Sequence, residues 1–150
     1  MKLAEALILR ADLQKRLQQL RVRLAANARV QDGETPAEDP HALLAELDTI
    51  TAELETLIFR INITNGIVSD GGVCMTALLA KRDALRLKID ALRDFSEQAA
   101  ATVLRGTRTE VVIRSTVSVP DLQAKLDTLS KELRELEMRI QSLNWTSELI

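Results

Sequence analysis

Acid–base, nucleophilic and metal chemistry draw on His, Cys and carboxylate side chains brought together, and this chain has one His, His41, and one Cys, Cys74. A di-iron site in a helical protein needs inward-facing Glu-x-x-His pairs, and a single histidine cannot supply two. His41 follows Asp39-Pro40 at an expected helix start, the place of an exposed first-turn residue rather than a ligand. Cys74 lies beside a tight turn with no histidine near it in sequence, the setting of a small buried thiol rather than a nucleophile. No Ser-His-Asp set can be assembled, and no glycine-rich loop precedes a helix to cradle phosphate. Asn62-Ile63-Thr64 and Asn144-Trp145-Thr146 match the glycosylation pattern but fall inside expected helices, so they read as chance matches. No catalytic residue, metal or cofactor is expected. The weight is against an enzyme, and the question stays open at this level.

A second group is polar where an apolar helix stripe should run. Arg82 stands where the spacing from Leu85 back to Leu78 wants an apolar residue, and Asn62, Asn65, Asn144 and Trp145 come where two other stripes give way. Arg10 lies beside the stripe of the first helix, and Glu5, Asp12 or Asp83 could neutralise the arginines. In an up-down-up-down bundle all of these collect at one end. Two readings follow: a polar network that sets helix register, or a pocket for a small anion or polar ligand. The network is the stronger reading. It would make Arg82→Ala cost on the order of 3 to 5 kcal/mol, the cost of breaking a buried pair on one side.

The elements that position these residues are helices. Leu122, Leu126, Leu129, Leu133, Leu136, Ile140 and Leu143 repeat at alternating spacings of four and three, one continuous apolar face. Leu43, Leu47, Ile50, Leu54, Leu57 and Ile61 repeat the same way, and Leu13, Leu17, Leu20 and Leu24 do so in the first helix. The expected helices are Lys2 to Asn27, Pro40 to Asn65 (Asp39 capping, Gly66 closing), Thr76 to Leu104, and one opened by Ser118, Pro120 and Asp121. Ser69 to Gly72 suits a small hairpin, and Thr107 to Val119 has the composition of an extended segment. The fold class expected is all-α: an antiparallel four-helix bundle of long helices, with a short β-like segment between helices 3 and 4, as a single domain over residues 1–150. An extended coiled-coil hairpin completed by oligomerisation is the rival.

Composition narrows the function classes. Only Phe59, Phe95 and Trp145 are aromatic, so bases have little to stack on, and a net charge of −2 with alternating signs is no basic stripe for phosphates. No nucleic-acid partner is expected. No stretch approaches the roughly 20 apolar residues of a membrane span. The N-terminus lacks the apolar run and cleavage site of a signal peptide, and the lone cysteine fits a reducing compartment, so a cytoplasmic location is expected. Apolar residues on more than one face of helix 1 (Leu3, Leu7, Ile8, Leu9) and an edge at Val111 to Ile113 point to a homo-oligomer, a dimer or higher.

Several segments carry a family likeness: the opening MKLAEALILRADLQKRL, EDP before helix 2, RINITN at its end, ALLAKRDALR in helix 3 and KELRELEMRIQSLNWT near the C-terminus. Together they resemble a bacterial family of small helical proteins that bears the name septicolysin and has no known function. The resemblance implies an all-helical protein of uncharacterised activity; the name alone would imply a membrane-active cytolysin. Asp70 and the glycines and asparagines around it make Ile61 to Ala80 a poor segment for entering a bilayer. The function expected is a non-enzymatic structural or protein-interaction protein. The alternatives are a small polar-ligand or anion binder, or an enzyme, at the polar end of the bundle, and a cytolysin by family name.

Overall fold

The structure is a computed structural model that describes residues 1–101 and 112–150. It is all-α, with four long helices and one short hairpin: α1 Leu3–Ala26, α2 Pro40–Ile67, β1 Ser69–Asp70, β2 Val73–Cys74, α3 Met75–Ala100 and α4 Val119–Thr146. The helix pairs in contact are those from which a bundle is built. Contacts divide the chain into two compact units, Met1–Cys74 with Leu143–Ile150, and Met75–Ser142.

In the first unit α1 and α2 pack along their length. Leu9 and Leu13 line the same groove as Leu57 and Arg60, while Arg23 meets Glu46 further along, so the two helices run antiparallel. The apolar stripe explains the packing: Leu3, Ala6, Leu13 and Leu20 on α1, and Leu43, Ile50, Leu54, Leu57 and Ile61 on α2, are buried. The capping expected at α2 is present, with the His41 backbone N–H donating to Asp39 Oδ1 at 3.0 Å ahead of the helix and Pro40 in the first turn. The end of α2 differs from expectation. Gly66 does not close the helix, which runs on to Ile67 and is capped by Val68, whose N–H donates to the Thr64 carbonyl at 2.8 Å. The reversal needing left-handed backbone comes later, at Gly71 (φ 57°) and Gly72 (φ 81°), which turn β1 into β2.

In the second unit Leu85 and Ile89 of α3 and Leu126 of α4 form a core, with Leu92, Leu129 and Leu133 packed against it. Lys81 to Glu132 at 2.8 Å and Arg86 to Glu137 tie the same two helices across the surface. Ser118 caps α4, its Oγ accepting from the Asp121 N–H at 3.3 Å. The extended segment expected over Thr107 to Val119 lies partly outside the described residues, and residues 112–118 are irregular. Leu104 and Val111, given above to helix 3 and to an edge, are also outside them.

Candidate functional site

The expected polar cluster is divided between the two units. Arg10, Asn62, Asn65, Asn144 and Trp145 belong to the first, and Arg82 and Asp83 to the second. Arg82 donates from Nε and Nη2 to Asp83 Oδ1 at 2.9 and 2.7 Å, a pair between sequence neighbours. The Asp83 side chain is 62% exposed, so this is a surface pair and not a buried one. Arg82→Ala should therefore cost about 1 kcal/mol or less, read as a shift in a denaturant melt; a loss above about 3 kcal/mol would return Arg82 to a buried network. Asn62 is exposed, Asn65 half-buried, and Trp145 outward at 56% exposure. Asn144 is buried, and half-buried Arg10 has a buried Nε with no hydrogen-bond partner among the described residues.

Buried polar groups that the sequence reading passed over do clear structural work. Thr64 is fully buried; its hydroxyl donates to the Arg60 carbonyl at 2.8 Å and accepts from the Ile150 N–H at 3.1 Å. Asn27, 7% exposed, donates from Nδ2 to the Arg23 carbonyl and accepts at Oδ1 from the Glu38 N–H, both at 2.9 Å, and so folds the 28–39 connection back on α1. Arg23 completes that corner, reaching Glu38 at 2.6 Å and Glu46 at 3.1 Å. Thr64 and Asn27 both fall in register with the apolar stripes, three residues after Ile61 and Leu24, and that register is the signal that could have found them.

The chain termini form a second corner of the first unit. The Leu3 N–H donates to the Ser147 carbonyl at 2.9 Å and the Leu149 N–H to the Met1 carbonyl at 2.8 Å. Glu148 accepts from Lys2 Nζ at 2.5 Å and from the Met1 ammonium at 3.2 Å. Those hydrogen bonds, Lys2 first, hold the Glu148 carboxyl below its ordinary value of 4.5. A carboxyl lowered on folding stabilises the fold at pH above its unfolded value, and that contribution disappears as pH falls through the folded one. Protection factors of the Leu3 and Leu149 amides should thus drop below about pH 4.5, and Glu148→Gln should lower them at neutral pH and flatten the dependence. Among the described residues the fold also displaces downward the carboxyls of Glu38, through its Arg23 hydrogen bonds, and Glu132, through Lys81. Each of these carboxyls is held in an ion pair of the fold, Glu38 in a partly buried corner and Glu132 and Glu148 nearer the surface.

Among the described residues no group of three or more His, Cys, Asp or Glu is placed to hold a metal ion. His41 is exposed, half-buried Cys74 sits in β2, and the length of α2 lies between them. No described helix is long and apolar enough to cross a membrane.

The first unit also carries an open apolar groove between α1 and α2. Met1, Leu9, Leu13, Ala52, Thr56 and Leu57 line it, with Glu53 and Arg60 at its rim. Leu9 is 38% and Met1 56% exposed. The aromatic residues Phe59, Phe95 and Trp145 are all on the surface as well, although burial of a large ring is a strong source of core stability.

A family model described as a family of unknown function (DUF6847) matches residues 10–149. The chain belongs to this family. The DUF6847 match takes in the whole of the expected polar cluster and most of the groove. This DUF6847 chain is similar, at 37% identity, to a crystal structure of a functionally unknown conserved protein from Corynebacterium diphtheriae. That likeness covers all of this chain and 99% of the other, with a TM-score of 0.92. No curated protein matches the DUF6847 chain.

Proposed function

We propose that this protein is a non-enzymatic interaction protein that offers the α1/α2 face of its first unit to a protein partner. The observation that carries the reading is the groove: Leu9, Leu13, Ala52 and Leu57 give it an apolar floor, and Glu53 and Arg60 give it a charged rim. An apolar centre within a polar rim is how protein interfaces are built. A photo-crosslinking amino acid at Ala52, compared in living cells with one at the outward Val22, tests it. The reading expects a discrete protein adduct from Ala52 and none from Val22; no adduct from Ala52 overturns it.

Arg10 favours a second reading, a small-anion site in the first unit, because its Nε is buried without a partner. Millimolar inorganic phosphate should then raise the melting temperature of the wild type and leave Arg10→Met unmoved. The septicolysin resemblance supports a membrane-active reading by name alone, and leakage from liposomes at micromolar protein decides it. A cytoplasmic location is part of the leading proposal.

A further inference from the structure

We infer that the occupant of the α1/α2 groove is a second copy of this chain, docked with the two α2 helices antiparallel about a two-fold axis near Thr56 and Leu57. The inference rests on the interaction reading and names its partner. Its basis is the charge arrangement at the rim. Glu53 and Arg60 line the same groove, seven residues or two helical turns apart, which is about 10 Å along the axis. In an antiparallel pair centred midway between them, each Glu53 faces the other copy's Arg60. One patch therefore complements itself, as an interface with two-fold symmetry requires.

Both charges are available for this. Among the described residues Glu53 has no ion pair within its own chain. Arg60 uses Nε on the Ile150 carbonyl at 2.8 Å, and its Nη groups have no hydrogen-bond partner among the described residues. Ala52 and Thr56, one turn apart on the groove side, are small enough for a close helix approach. Exposed Leu9 and Met1 flank the contact and would be covered by it.

The test is charge reversal followed by mixing, read by sedimentation equilibrium. The wild type should run at twice its monomer mass of 16.7 kDa. Glu53→Arg alone sets arginine against arginine across both halves, and Arg60→Glu alone sets glutamate against glutamate. Each should weaken self-association by roughly tenfold or more. An equimolar mixture of the two restores opposite charges at both contacts and should recover the dimer. A monomeric wild type at tens of micromolar, a reversal variant that dimerises like the wild type, or a mixture that stays monomeric overturns the proposal. Crosslinking from Ala52 to a different protein would also remove the second copy while leaving the interaction reading in place.

Discussion

Leu20→Ala should destabilise the protein by about 2 to 5 kcal/mol, the range for emptying a packed leucine site. Leu20 is fully buried in the C-terminal half of α1, on the stripe that packs against α2, and a packed site relaxes only partly around a cavity. For a chain of this size the loss corresponds to a fall in melting temperature of roughly 5 to 15 °C. Val22, two residues on, is 70% exposed, and Val22→Ala should stay within about 0.5 kcal/mol. Similar losses for the two would mean that the α1 stripe does not face the core.

Asn27→Ala should cost about 1 to 3 kcal/mol although it deletes only a small polar group. The Asn27 amide is the link between the end of α1 and the chain entering α2, and its removal leaves the Glu38 N–H without its acceptor in a buried corner. The Arg23 carbonyl is less affected, because it also accepts the Asn27 backbone N–H at 3.1 Å. Asn27→Asp keeps the acceptor and should recover part of the loss. Urea melts of the two variants against the wild type measure both steps. Equal losses would assign the effect to the Nδ2 donor, and no loss in either would show that the corner is solvated.

The helices were legible because burial has a period. Leucines at spacings of four and three declare which face is covered, and Leu43, Ile50, Leu54, Leu57 and Ile61 are all buried as that rule requires. The same rule, applied to polar residues, would have found more. Asn27, Thr64 and Ser96 continue the stripes after Leu24, Ile61 and Leu92 and are buried. Asn62 stands off the α2 stripe and is exposed. Register along the stripe, not asparagine as a residue type, marks which polar residues are buried.

Gly66 misled for a related reason. A glycine near a helix end suits left-handed backbone, but the Val68 N–H to Thr64 hydrogen bond carries α2 past it. The contacts between the termini left no trace in the pattern, since Leu3 to Ser147 and Leu149 to Met1 join backbone groups at opposite ends of the sequence. The groove was half legible. Leu9 extends the apolar face of helix 1 in the sequence and is one of the residues that spread it over more than one face, but its place beside Ala52 and Leu57 depends on which sides of α1 and α2 meet.

A disulfide trap can capture the contact between copies proposed at the α1/α2 groove. With Cys74→Ser removing the single native thiol, Thr56→Cys places one sulfur beside the two-fold axis, where its counterpart comes within the roughly 4 to 7 Å Cα separation that a disulfide spans. Val22→Cys, in the same background, places the thiol on an outward part of α1. Under mild oxidation the Thr56→Cys protein should convert to a covalent dimer on a non-reducing gel while the Val22→Cys protein stays at monomer mass. Failure of Thr56→Cys to crosslink, or equal crosslinking from both positions, would contradict it.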